Sequence, residues 1–198
     1  FNAFKTQVID WVLKNPYPYG PNHKCGQEAT IRFVHILINY SIFKQLNLSD
    51  EQLDDALKKI TSMTKHKIRS NYSYSYYTIR NNHTISETIG LMLTAKITND
   101  VSLITRSKKR LNKIIAYQFR DDGGYIQNSF NYQRMALDWI TFVMSGIVNF
   151  DFQLSDSNTI KIQQSLKQLN YLIDHRTGHL PNYGPNDSTL LFPLQRQS

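Results

Sequence analysis

Cysteine is nearly missing from this sequence, since Cys25 is the only one among 198 residues. A single cysteine excludes an internal disulfide and any metal site built from several cysteines, but it does not assign a cellular compartment. No apolar run approaches the ~20 residues that a membrane-spanning helix needs, so no membrane span is predicted. With 40% hydrophobic and 19% charged residues, the composition is that of one globular domain, which we expect to cover residues 1–198.

The first residues also lack the pattern of a signal peptide. Residues 1–4 have neither a basic segment nor an apolar segment before a helical pattern begins. We therefore expect the sequence to be a fragment of a larger polypeptide.

Acidic residues are missing from residues 56–86 and again from residues 101–120, in a chain with a net charge of +8. These stretches carry the basic residues Lys58, Lys59, Lys65, Lys67, Arg69, Arg80, Arg106, Lys108, Lys109, Arg110, Lys113 and Arg120. Basic fields attract polyanions, such as nucleic acid, an anionic membrane surface or an acidic glycan. Solvated helix faces explain the same pattern equally well, so charge alone does not choose a function.

Apolar residues recur with helical spacing in seven segments, and no segment reads convincingly as part of a sheet. The predicted helices cover residues 4–14, 26–46, 50–69, 83–97, 100–120, 130–149 and 157–173. Residues 49–52 have the spacing of a capping box, Asp100 and Ser157 are suitable N-caps, and Asn15-Pro16 is expected to end the first helix. The predicted fold class is therefore all-α.

The links between the predicted helices alternate in length. Those after the second, fourth and sixth helices are short, and the other four connections are long. Since short links join antiparallel neighbours, an up-and-down array places the short links at one end and the long ones at the other. The tyrosine-rich run at residues 72–77 falls in a long link and is expected to form an ordered loop. Regular helical hairpins also suit an (α/α) toroid, a curved array of paired helices.

Four polar segments lie at the end with the long links, at residues 21–28, 81–87, 121–132 and 178–187. Three of them meet a helix N-terminus, where free backbone N–H groups and the helix dipole favour anions. Long loops on a rigid helical scaffold are common places for functional residues, so we expect the site at this end.

These segments carry an ordered set of motifs: Asn82-His83, Glu87, Asp122-Gly123-Gly124, Ser129, Tyr132 and the run from Leu180 to Asp187. In this order, and over most of the chain, they resemble the heparinase II/III family of polysaccharide lyases, which includes related alginate lyases. The resemblance implies that this chain is an incomplete (α/α) toroid, followed in the full protein by β-sandwich domains that the chain lacks. It also implies β-elimination at a uronic acid of an acidic polysaccharide, with no cofactor, no metal and no nucleic acid partner. The location stays open, with a periplasmic or secreted one favoured over a cytoplasmic one.

The resemblance assigns catalytic roles to Asn82, His83 and Tyr132. In β-elimination, the uronate carboxylate gains charge as the C5 proton leaves, and a hydrogen-bond donor stabilises this charge by roughly 3–4 kcal/mol. Asn82 fits that role because its amide does not titrate, while His83 can give or take a proton near neutral pH. Tyr132 is the candidate acid for the departing O4, and in some relatives a tyrosine is also the base, which requires a pKa lowered from ~10. Relatives draw a further His or Tyr base from the β-domain, so the fragment is expected to bind without necessarily turning over.

Further polar residues are expected to contact the substrate: Gln27, Glu28, Arg32, Glu87, Arg134, Asn182 and Asn186. The alternating links predict that one cleft is bordered by Gln27, Asn82, His83, Tyr132 and Asn186. Structural roles remain open for several of these residues, since Asn82 is equally suited to cap the fourth helix. Glu87 is placed to orient His83 one turn away, and the loop asparagines are suited to shaping a tight turn. Cys25 has no evident activating arrangement, so we interpret it as a packing residue.

Two other functions fit parts of the sequence. An inverting glycosidase on a similar toroid needs two carboxylates ~6.5–9.5 Å apart across a cleft, and the suppliers are Glu28, Glu87, Asp122 and Asp187. A basic module for nucleic acid is permitted by the interleaved tyrosine and arginine residues, but no recognised nucleic-acid motif is present. Elimination leaves an unsaturated sugar that absorbs in the ultraviolet, whereas hydrolysis does not.

Overall fold

The computed structural model describes residues 1–187 and 191–192. It contains seven α-helices: α1 (Asn2–Lys14), α2 (Gly26–Gln45), α3 (Glu51–Tyr74), α4 (Asn82–Ile97), α5 (Val101–Gln118), α6 (Phe130–Met144) and α7 (Asp156–Leu172). A 3-10 turn at Pro21–His23 precedes α2, and a π-helical turn at Ser75–Ile79 continues α3. The described part has no β-strand and only two isolated bridges between loop residues. The predicted all-α fold class is confirmed.

The helices form antiparallel hairpins in two layers. Helices α2, α4 and α6 pack side by side with α4 in the middle. On the other side, α3 packs against both α2 and α4, α5 packs against α4 and α7, and α1 lies on α3. This arrangement is compatible with a piece of an (α/α) toroid.

The central helix α4 is buried on all sides, because other helices pack around it. Its contact with α2 and α3 is close at Gly90, where a Cβ atom would lie 2.5 Å from Thr30 Oγ1 and 2.6 Å from Ile68 Cδ1. The buried Thr88 hydroxyl donates to the carbonyl oxygen of Thr84 at 2.6 Å, which satisfies a polar group inside the core. The helices α3 and α5 instead bury one stripe each and keep their basic faces outside.

Short polar side chains begin the helices α3 to α7. Asp100 accepts a hydrogen bond from the Leu103 backbone N–H, as predicted. The capping box predicted at residues 49–52 is shifted by one residue, since Asp50 and not Ser49 is the N-cap and accepts from the Leu53 N–H. The prediction that Ser157 caps the last helix is wrong, since Ser155 occupies that position and accepts from the Asn158 N–H. The helix begins earlier because the Ser155 hydroxyl reaches the free N–H three residues later.

The link between α3 and α4 is much shorter than predicted. Instead of forming a loop, the tyrosine-rich run completes α3 and enters the π-helical turn, so only Arg80 and Asn81 separate the helices. Tertiary packing explains the difference, because the Tyr72 hydroxyl is 2.7 Å from Thr88 Oγ1 and the Tyr72 ring stacks on Tyr76. The link between α6 and α7 is longer than predicted, because α6 ends at Met144.

The long connections between α1 and α2 and between α5 and α6 are confirmed. Together with the tight α3 to α4 link, they place the N-termini of α2, α4 and α6 at one end of their layer. No helix in residues 1–187 is long and apolar enough to cross a membrane.

Candidate functional site

The N-termini of α2, α4 and α6 meet at the side chain of Asn82. Its amide nitrogen donates to Gln27 Oε1 at 2.8 Å and lies 3.8 Å from the sulfur of Met135. Ser86 also donates to Gln27 Oε1, at 3.1 Å, so the Gln27 side chain accepts hydrogen bonds from two residues of α4. Asn82 is 1% exposed, and its amide is therefore fixed in one orientation by residues of two other helices.

Asn82 does not cap α4, which was the structural alternative for this residue. The cap is Asn81, whose side chain accepts a hydrogen bond from the His83 backbone N–H at 3.0 Å. Asn82 is the first residue of the helix, and its backbone N–H donates to Gln127 Oε1 at 3.0 Å. Its side chain is consequently available for the contact with Gln27.

Gln118, the last residue of α5, stabilises the link that precedes α4. Its amide donates to the carbonyl oxygens of Arg80 and Asn81, at 3.1 and 2.8 Å. Its own Oε1 accepts from the buried Tyr125 hydroxyl at 2.8 Å. The two-residue link before Asn82 is thus tied to α5 and to the loop before α6.

His83 lies next to Asn82 and is half-buried. Its Nδ1 atom is 3.8 Å from the sulfur of Cys25, the residue that precedes α2. Burial lowers the pKa of His83, while the carboxylates of Glu28 and Asp187 oppose that effect. Burial also raises the pKa of the Cys25 thiol, so the arrangement favours a neutral imidazole beside a neutral thiol.

Tyr132 lies in the first turn of α6 and contacts the segment after α7. Its hydroxyl donates to Asp187 Oδ2 at 3.0 Å, and Asn131 donates to Asp187 Oδ1 at 3.1 Å. Partial burial raises the pKa of Tyr132, and the hydrogen bond to the Asp187 carboxylate raises it further. The phenol therefore keeps its proton at neutral pH.

Backbone contacts join the segment that carries Asp187 to the start of α6. The Ser129 hydroxyl donates to the Pro185 carbonyl oxygen at 2.6 Å, and the Phe130 N–H donates to the Tyr183 carbonyl at 3.2 Å. Gly184 has a φ of +76°, and a Cβ atom there would lie 2.8 Å from the Ser129 Cα. Only glycine fits this crossing, which explains the Tyr-Gly-Pro order of the motif.

Glu87 is buried below the start of α2 and is 1% exposed. A Cβ atom at Gly26 would lie 2.5 Å from its Oε1, and its Oε2 has no hydrogen-bond partner within the described residues. Burial raises the pKa of Glu87 to about 7, against the opposing effects of Ser75 and Lys67. The structure places His83 beside Cys25 and shows no His83–Glu87 hydrogen bond in the described part.

The other predicted substrate contacts lie around this centre. Arg32 donates to the Asn22 carbonyl oxygen at 3.2 Å and lies over the Trp11 ring, and burial lowers its pKa. Glu28 is exposed. Arg134 donates to Asn131 Oδ1 at 2.9 Å, next to Tyr132.

The two loop asparagines belong to the exposed segment after α7. Asn186 donates to Asn182 Oδ1 at 2.9 Å, which fits the loop-shaping role that the sequence left open. The same segment places the Asp187 carboxylate within hydrogen-bond distance of the Tyr132 hydroxyl.

Several residues of this site were not singled out from the sequence, among them Gln118, Cys25 and Gln127. Cys25 was interpreted as a packing residue, yet its sulfur lies beside His83. Gln127, which fixes the backbone of Asn82, was not considered. A signal existed for Cys25, because it lies two residues before Gln27 in a polar segment at a helix start.

Residues 11–176 match the profile of a protein family described as alginate lyase. The match covers most of the chain and includes the starts of α2, α4 and α6. The chain belongs to the alginate lyase family. It is therefore a polysaccharide lyase, an enzyme class that cleaves its polymer by elimination. No curated protein and no solved structure matches the chain.

The glycosidase alternative finds little support beside this alginate lyase match. Glu87 is buried, and Asp122 accepts a hydrogen bond from the Gly124 N–H within its own loop. The Asp187 carboxylate accepts a hydrogen bond from the Tyr132 hydroxyl. Within the described ranges, no three His, Cys, Asp or Glu side chains gather as a metal site.

Proposed function

We propose that this chain supplies one half of the active site of a lyase that cleaves a uronate-containing polysaccharide by β-elimination, in the manner of the heparinase II/III-like enzymes. The observation that carries the proposal is the fixed amide of Asn82, held by Gln27 where the starts of α2, α4 and α6 meet. His83 follows it directly, and Tyr132 lies one turn before Met135 on α6.

Asn82 is suited to hold the uronate carboxylate. One of its N–H groups is engaged by Gln27, whereas the nearby Met135 sulfur is only a weak acceptor at 3.8 Å. A carboxylate is a stronger acceptor, so a substrate that displaces the groups covering Asn82 gains a charge-assisted hydrogen bond. This bond strengthens as the C5 proton leaves and negative charge grows on the carboxylate.

Tyr132 is suited to protonate the leaving group. A base removes the C5 proton, the electron pair forms the C4–C5 double bond, and the C4–O4 bond breaks with its pair on O4. The Tyr132 hydroxyl then donates its proton to O4. Its raised pKa supports the role of acid and opposes that of base.

Two groups are suited to be the base. His83 is the nearer candidate, since its lowered pKa favours the neutral imidazole that accepts a proton. The family resemblance also implies a His or Tyr from a β-sandwich domain of the full polypeptide. In the second case, the residues described here bind and activate the substrate while the β-domain removes its proton.

The proposal is tested with the full-length enzyme on purified alginate, heparan sulfate and a neutral dextran. Ultraviolet absorbance follows the unsaturated uronate. Absorbance that rises with a uronate polymer and not with dextran supports the proposal. Depolymerisation of any of the three without absorbance contradicts it.

A further inference from the structure

A groove runs along the outer surface between α3 and α5, over Leu91 of the central helix α4. Its volume is about 280 Å³. Its polar lining is mostly arginine and tyrosine: Arg69, Tyr72, Ser73, Tyr77, Arg106 and Arg110. None of these residues belongs to the candidate catalytic site, which lies at the starts of α4 and α6.

The two walls of the groove are the two stretches of the sequence without acidic residues. Residues 56–86 supply the α3 wall, and residues 101–120 supply the α5 wall. The one acidic residue in the lining is Asp100, which caps α5 and pairs with Lys65 at 3.2 Å. The folded chain therefore gathers two basic stretches into one concave surface, which sequence alone did not predict.

The arginines of the groove are available for an anion. Arg69 and Arg106 are exposed, and in the described part no salt bridge involves either of them or Arg110. Arg106 and Arg110 lie four residues apart and so share one face of α5. Arg69 lies close enough to Asp100 to help lower the pKa of that carboxyl group. The lining still holds three arginines against this one aspartate, which makes the surface attractive to a polyanion.

Aromatic packing fixes the position of Arg110. Its guanidinium carbon lies 5.0 Å from the Tyr72 ring centre and 5.2 Å from that of Tyr76. These two rings stack on each other, and the Tyr72 hydroxyl is held by Thr88. Arg110 is consequently ordered before a ligand arrives, which reduces the entropy lost on binding.

We propose that this groove is a second binding site for the acidic polysaccharide, separate from the catalytic end. The uronate carboxylates pair with Arg69, Arg106 and Arg110, and the apolar face of a sugar ring packs on Tyr77, which is 69% exposed. The inference rests on the proposed function for the identity of the polymer. Such a site holds the long chain on the enzyme while its cleavage proceeds elsewhere.

The same groove is less suited to single-stranded nucleic acid. Stacking of successive bases needs several exposed aromatic faces. Tyr72 is buried and lies against Arg110, which leaves Tyr77 as the exposed tyrosine of the lining. A polymer recognised by charge and a single ring contact fits this surface better.

The test compares two double variants that remove the same charge from the full-length enzyme. Arg69→Gln/Arg106→Gln alters the groove, and Lys109→Gln/Lys113→Gln alters exposed residues of α5 outside it. Fluorescence anisotropy of labelled alginate oligosaccharide measures affinity, with single-stranded DNA and dextran as competitors. We expect the groove variant to lose about tenfold in affinity, the sum of two exposed ion pairs, and the lysine variant to lose much less. Tyr77→Ala is expected to weaken binding without changing the salt dependence.

Equal losses of affinity in the two double variants would show that binding depends on overall charge, and this would overturn the proposed site. If the wild type preferred DNA and the groove variant lost that preference, the groove would be a nucleic-acid site and the proposal would be overturned. Elimination from short oligosaccharides should continue in the groove variant at the wild-type kcat. Failure of the wild-type enzyme to eliminate would instead count against the proposed function, so the two failures are distinguishable.

Discussion

The Tyr132 hydroxyl donates a hydrogen bond to Asp187 Oδ2 at 3.0 Å across 55 residues of sequence. The contact joins α6 to the segment after α7 and raises the pKa of the phenol. A tyrosine in this state gives up a proton only to a group that is itself gaining charge, such as a departing alkoxide. The contact thus connects the fold to one specific step of the proposed elimination.

Tyr132→Phe should lower kcat by about a hundredfold or more, the usual contribution of a positioned acid, and leave substrate affinity nearly unchanged. The ring still packs in the variant, while the hydroxyl is removed together with its transferable proton and its hydrogen bond to Asp187. Initial rates of unsaturated product formation measure the effect. Tyr171→Phe is the matched control, because that tyrosine is 89% exposed on α7. Wild-type rates in Tyr132→Phe would remove Tyr132 from the mechanism.

Asp187→Asn should move the alkaline limb of the kcat profile to lower pH. The carboxylate raises the pKa of Tyr132 in the wild type, so a neutral amide lets the phenol ionise earlier. Activity that needs the protonated phenol is then lost sooner as pH rises. An alkaline limb identical to that of the wild type would show that Tyr132 does not control it.

Asn82→Ala should lower kcat by about 10²–10³-fold, with a smaller effect on KM, because the lost donor acts most strongly in the transition state. Gln27→Leu should cause a weaker loss of the same kind, since it removes the anchor of the Asn82 amide and not the amide itself. Thermal unfolding of both variants controls for damage to the buried contact. A change in KM alone would assign Asn82 to ground-state binding.

Glu87→Gln should flatten the pH dependence of stability. Burial raises the pKa of Glu87 from 4.5 to about 7 in the folded chain, so the folded state binds the proton more tightly than the unfolded state. The contribution of Glu87 to wild-type stability is then fully present below about pH 4.5 and is lost as pH rises through about 7, by on the order of 3 kcal/mol. The glutamine variant lacks this loss, which urea unfolding at pH 5 and pH 8 measures in both proteins. Equal pH slopes in the two proteins would contradict the raised pKa.

The sequence predicted most helices to within a few residues, because apolar spacing and short polar caps are local signals. Asp100 is an example, since its side chain caps the helix that follows it. The tyrosine-rich run was not predicted correctly, because its helical form depends on Tyr72 packing against Thr88 of another helix. The local sequence pattern carries no information about this contact between two helices.

The helix topology around the proposed site was predictable from the sequence, and the contacts within it were less so. The helix order placed Asn82 and Tyr132 at one end, where both are found. The pairings of Asn82 with Gln27 and of His83 with Cys25 join residues 55 and 58 apart, so no local signal shows them. The burial of the Glu87 side chain also depends on the close approach of Gly26 from another helix.

The most direct test of the account is the mass of the oligosaccharides that the full-length enzyme releases from a purified uronate polymer. Elimination adds no water, so each new non-reducing end should carry a double bond and be lighter than the hydrolysis product by one water. The account predicts such unsaturated ends from wild type and their near absence from Asn82→Ala and Tyr132→Phe. Saturated ends that have gained a water would contradict the elimination mechanism itself.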